Sequence, residues 1–421
     1  ILTNTSGNIT GSVLKAPQGE ITVATTSTSQ IEAVVATVSV SVTGAGSTAG
    51  GASIGASRAR NFIGVDADGV HSAAESTAAI NSSELQSGGN LALTATSNQT
   101  INAEVWAASV AVSGGSTSFG LAGSGVETIN TIYMDTAASI AGAASSNGIK
   151  RDSITISAAD TSTITSNGGA ASLSVAVAGS GAVTISIGVA LAENTIGSNV
   201  AAYISNASNN IESEAGDIAL NATNAMTIDA STTAASVAAS FGTTGIALSG
   251  AGAEATNVIL GSTLAYIEDT HAISAGNVSI NAVNSAALDA TIVSVAASAA
   301  VGSTGVGAAI GVAIARNYIG WERDGTASYD YTLDSTPTAL QSGDLVLIES
   351  GARAGDVYRY VGSPLSESDD DVDDIILSQM DYADHDTWQL NNLTQVGMPV
   401  QAYLEDSSVA AQGDLALSAA A

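Results

Sequence analysis

The side chains able to do acid–base or metal chemistry are few in kind and scattered. Three histidines, His71, His271 and His385, share no metal-ligand spacing, and the absence of cysteine excludes disulfides and thiolate metal sites. There is no G-x-S-x-G, Walker or H-E-x-x-H motif, and stretches such as "GAGSTAGG" lack the lysine and helix of a phosphate cradle. Carboxylates are plentiful, and calcium is the one cofactor that their hard oxygens suit. "DADG" sets Asp66 and Asp68 at half of an EF-hand spacing, and "DDDVDD" groups Asp369, Asp370, Asp371, Asp373 and Asp374. The competing reading of both is a solvated acidic loop, the usual fate of such runs.

Aromatic chemistry is concentrated in one stretch, 321 to 399, which holds Trp321, Trp388, several Tyr and three of the 4 Pro. Here "GDLVLIESGARAGDVYRYVG" followed by "YADHDTWQL" is similar to small chitin-binding-type carbohydrate modules. The resemblance implies sugar stacking on Tyr358, Tyr360 and Trp388. The alternative is that these rings form the core of a module too small to fold without them.

The elements that would position such groups follow from the rest of the chain. It has 421 residues, 44 Gly, 9 Lys plus Arg and a net charge of −30. That balance argues against phosphate-backbone binding to nucleic acid and against docking on anionic membranes. No apolar run of about 20 residues is free of Gly, Ser and Thr, so no membrane helix is expected. The start at Ile1, in mid-pattern, reads as a piece of something longer.

Internal repetition dominates. Similar strand starts stand at Gly19, Gly89, Asp152, Gly216, Gly276 and Gly413. Twelve residues after the first five come Ile31, Ile101, Ile164, Ile228 and Leu288. After 41 or 42 residues come Asn61, Asn130, Asn194, Asn257 and Asn317, and two further on Ile63, Ile132, Ile196, Ile259 and Ile319. Period-two alternation, as in "ASLSVAVAGSGAVTISIGVALAEN", marks long strands joined by Gly/Ser/Thr reversals. Repeats that cannot bury a face alone stack. The expected fold is therefore all-β: a parallel β-solenoid of repeats of about 60–70 residues with long alternating strands, plus a small inserted β module. The Asn column should form an amide ladder, unless each amide only satisfies a local turn, and the Ile columns an apolar one. The large face of each long strand, Leu173 to Leu191 in the stretch quoted, is expected to point into the core.

The boundaries expected are the end of a truncated repeat at 1–18, then repeats at 19–88, 89–151, 152–215 and 216–275. A fifth follows at 276–320 with 400–412, interrupted by the module at 321–399, and a sixth starts at 413–421. "ARNFIG", "AENTIGSNVAAYI" and "ARNYIG", each ahead of a new alternating start, resemble the repeat regions of giant bacterial adhesin-like exoproteins of the filamentous-haemagglutinin kind. The resemblance implies secretion to the cell surface, a β-solenoid, and work in adhesion, fibre formation or biofilm. The leading expectation is a structural or adhesive segment without enzymatic activity or membrane insertion, its partners other copies or further repeats. A carbohydrate-binding surface protein, with polysaccharide held by the 321–399 module, is the second reading. An outer-membrane β-barrel is the third, disfavoured by the lack of aromatic girdles.

Overall fold

The computed structural model describes every residue except 67–69, 87, 144–147, 208–210, 324–326, 351–352, 367–374 and 383, and at 143 and 323 only the backbone. The chain divides into two compact units, Ile1–Ile319 with Gly397–Ala421, and Gly320–Val396.

The first unit is a stack of β rungs. Rung 1 runs out along Ile21–Gly44 and back along Thr48–Ile63. Rungs 2 and 3 lie within Leu91–Ala143 and Thr163–Ser205. Rung 4 uses Thr227–Phe241 and Thr244–Glu268, and rung 5 uses Ala287–Val301 and Thr304–Ile319. Rung 5 resumes after the second unit at Val400–Glu405, whose Tyr403 pairs with Tyr266 exactly as a neighbouring rung's Tyr203 does. The named strands of this unit pair rung to rung in parallel, with like repeat positions opposite one another. A transmembrane barrel pairs its strands antiparallel, so the third reading does not describe this unit.

Each rung has a base and a blade. In the base, short strands such as Ile154–Asp160, Ile218–Asn224 and Val278–Asn284 pack against the ends of the long ones. Inward side chains of the short strands, Ile156, Leu220 and Ile280, and of the long strands' ends, Ile204 and Ile267, are fully buried in one large cluster. A second cluster joins both isoleucine columns face to face, Ile101, Ile164 and Ile228 against Ile132, Ile196 and Ile259.

In the blade, the two arms of a rung form two facing sheets. Ser172 Oγ lies 2.8 Å from Ser186 Oγ, and Ser249 Oγ donates to Ser236 Oγ across 2.8 Å. The buried residues between the arms are Ala, Ser, Thr and Gly, with few larger ones such as Val105 and Val126. The arms come so close that a Cβ at Gly188 would stand 2.7 Å from Ala235 O.

The expectation for the large face is thus overturned. Ser172, Ser174, Ala176, Thr184, Ser186 and Ala190 are buried, while Leu173, Val177, Ile187, Val189 and Leu191 are exposed. The reason is parity. Ile164 is locked inward in the base, and an uninterrupted strand keeps every second residue on the same side. Counting on from Ile164 in twos reaches Ser172 and Ser174, not Leu173.

The second unit is a small β module. Leu345–Leu347, Val357–Tyr360 and Trp388–Leu390 form an antiparallel sheet, with Tyr331–Thr332 at its edge. Its core contains Leu340, Val346, Ile375, Leu377 and Tyr382.

Candidate functional site

The polar side chains that recur along the sequence are brought together as columns. Asn61 Nδ2 donates to Asn130 Oδ1 at 2.8 Å, Asn130 to Asn194 at 2.8 Å, Asn194 to Asn257 at 2.8 Å, and Asn257 to Asn317 at 2.9 Å. Asn130, Asn194 and Asn257 are almost wholly inaccessible to solvent. Each amide therefore spends its donor on the rung on one side and its acceptor on the other. The column marks the seam between base and blade. Two residues further on, Ile63, Ile132, Ile196 and Ile259 are fully buried; Ile319, in the last long rung, is 49% exposed.

A second ladder escaped sequence reasoning. Tyr203, Tyr266 and Tyr403 stack with centroids 4.9 and 4.8 Å apart and rings within 3° of parallel. Burial, then the flanking Tyr203 and Tyr403, push the Tyr266 hydroxyl up to about 12. The signal was present in the matching "AAYI", "LAYI" and "QAYL" stretches. Asn206, Asp269 and Asp406 form a further column of turns, with φ of 52°, 46° and 45°. At the base, Arg151 is buried and donates to the carbonyls of Ala16, Gly19 and Gln86, and loss of hydration lowers its pKa. It ties loops together.

The proposed sugar platform is not displayed. Tyr358, Tyr360 and Trp388 are 6%, 4% and 1% exposed and belong to the module's core. Tyr360 packs edge-on to Trp388 at 5.0 Å, and Tyr382 packs on Trp388 at 4.6 Å. A module this small must bury rings to fold, and none of these three offers a face to a sugar. Of the calcium candidates, Asp66 accepts the Val70 N–H at 2.8 Å, closing its own loop. Asp68, Asp369, Asp370, Asp371, Asp373 and Asp374 lie outside the described residues. Among the described residues no group of three His, Asp or Glu is placed to hold a metal ion. His71 stacks on Tyr133 at 3.8 Å.

What the structure displays instead is an apolar outer face on each arm of the blade. On the outgoing arm, Val34, Val38, Val40 and Val42 are more than 60% exposed, and Trp106 is 50% exposed. On the return arm, charge appears only at the foot, where Arg58 pairs with Glu127 and Arg316 with Glu254 at 3.2 Å. Beyond that belt both faces are uncharged to the tip. No helix of the described residues is long and apolar enough to cross a membrane. Compared with protein-family models, curated proteins and solved structures, the chain matches none.

Proposed function

We propose that this chain is a structural or adhesive segment of a large secreted bacterial surface or fibre protein, working by stacked β repeats and catalysing nothing. One observation carries the reading: the polar side chains that recur are spread in register as columns. An active site needs a unique constellation in which different groups converge on one reacting atom. In the two ladders equivalent groups meet their own kind, Asn on Asn and Tyr on Tyr. Such ladders are the means by which identical segments stack in fibres. They yield a repetitive surface, suited to a repetitive partner such as further repeats, other copies or a polysaccharide. The net charge of −30 keeps copies apart until cations screen it.

The test is display of the chain on a bacterium that does not adhere. At equal display level, it should raise retention of well-separated cells on a surface under flow. Retention equal to that of cells displaying an unrelated acidic β protein overturns the reading.

A further inference from the structure

Glycine placement on the return-arm face is not explained within the chain. Read rung by rung, one outward column is Ile54, Gly123, Ile187, Gly250, Ile310, and the next is Ala56, Gly125, Val189, Gly252, Val312. Odd rungs carry a side-chain ridge; even rungs carry a bare-backbone groove. Ile54, Ile187 and Ile310 are 71%, 48% and 69% exposed.

At other positions on these strands the neighbours dictate the glycine. A Cβ at Gly169 would stand 2.2 Å from the Trp106 ring, and one at Gly197 would stand 2.5 Å from the Tyr133 ring. At Gly125, Gly250 and Gly252 a Cβ would meet nothing within 4 Å, and at Gly123 only Ile54 Cγ1 at 3.9 Å. None of the four has a positive φ. Glycine weakens a strand interior and marks places where another chain approaches the backbone closely.

We infer that the return-arm face docks a second copy of this chain, each copy seating its Ile ridges in the other's glycine grooves. The inference takes its choice of partner from the structural reading above. The surface is complementary to itself under one operation, a two-fold axis along the strands, halfway between rungs 2 and 3. Rung 1 then faces rung 4, and rung 2 faces rung 3. Ile54 enters at Gly250 and Ile187 at Gly123, twice each. Nearer the tip, Gly50 meets Ile246 and Ala52 meets Leu248, while Phe119 meets Val183. At the foot, Arg58 comes opposite Glu254, so the charged rims complement one another. With about 3.3 Å per residue and 4.8 Å per rung, four shared rungs from Gly50 to Arg58 cover about 570 Å² per copy. The total of about 1,100 Å², before relief is added, reaches the floor for a specific interface. Lipid is the poorer occupant, because the blade's sheet edges would lie unpaired in hydrocarbon.

The experiment is sedimentation equilibrium of the whole chain, unmodified and as the Gly125→Val, Gly252→Val double variant. The unmodified chain should form a dimer in a concentration-dependent way. Filling the grooves should weaken dimerisation at least tenfold, while thermal unfolding of the variant stays unchanged or rises. Since the chain has no cysteine, Ile54→Cys combined with Gly250→Cys should give a disulfide-linked dimer on mild oxidation. A chain that stays monomeric throughout, a dimer indifferent to the filled grooves, or monomers that bind phosphatidylcholine vesicles through this face would each overturn the inference. A stable monomer that still promotes surface retention would leave the structural reading standing, so the two can fail separately.

Discussion

The base and the blade of each rung are made by the same strands and obey opposite rules. In the base, Ile164 and Ile196 point inward and are fully buried, as in any hydrophobic core. A few residues along the same strands, the inward positions become Ser172, Ser174 and Ser186, and the large residues Leu173 and Ile187 face out. Nothing in the backbone changes between the two; only the size of the alternate residues is exchanged. The base is stabilised by apolar burial in the ordinary way. The blade is held by close approach of two small-residue faces, by hydroxyls bonded across the interlayer, and by continuous rung-to-rung pairing. The comparison teaches that alternation alone says nothing about which face is the inside.

The contrast can be broken most forcefully in the base. Ile196→Ala should destabilise the stack by about 2–5 kcal/mol, the cost of a cavity among large side chains. Ile187→Ala, nine residues earlier on the exposed face, should change the stability of the dilute monomer by about 0.5 kcal/mol or less. Denaturant midpoints of the two variants compare them directly, and equal losses would refute the assignment of faces.

Inside the blade the sensitive direction is enlargement. Gly188→Val places its Cβ against Ala235 O in the facing arm and should cost about 1–3 kcal/mol through overpacking. Gly252→Val on the outer face meets open space and should be neutral or mildly stabilising in a dilute monomer. Differential scanning calorimetry would separate them.

At the seam, Asn194→Ala leaves Asn130 Nδ2 and Asn257 Oδ1 without their partner. The expected loss is about 1–3 kcal/mol. Asn61→Ala removes one ladder bond and should cost less. Equal costs would favour the local-turn account of these residues.

The smallest effect concerns the outer face of the base. Tyr266 is neutral when protonated, and its folded pKa is raised to about 12 from an ordinary value near 10. Its stabilising contribution is therefore complete below about pH 10 and is lost as pH rises towards 12. Absorbance titration should show late-ionising tyrosines, one of which Tyr266→Phe removes. Tyr382, held up to about 12 by burial in the module, should remain late in that variant.

Much of this was legible in advance. Matched positions of Asn61, Asn130, Asn194, Asn257 and Asn317 defined the register, because in-register stacking is the arrangement that repeats a residue at one height. The aromatic-rich stretch stood out because it interrupts the rung that resumes at Val400. Even the inverted blade was within reach, since Ile164 and Ser172 share parity. It was missed because the size of Leu173 and Ile187 outweighed the count from the base.

What the sequence by itself determined was everything carried by period and spacing: strands, rung length, register, and the place of the inserted module. These are local or repetitive properties, and one rung's residues suffice to express them. Tertiary structure decided which side of each strand is the interior, and whether Tyr358, Tyr360 and Trp388 display their rings or bury them. Burial is a relation between elements. A leucine is inside only if another surface covers it, and in the blade the two arms cover each other's serines and alanines. That choice is set at the base, where the facing isoleucine columns close on one another, and the unbroken pleat transmits it to the tip.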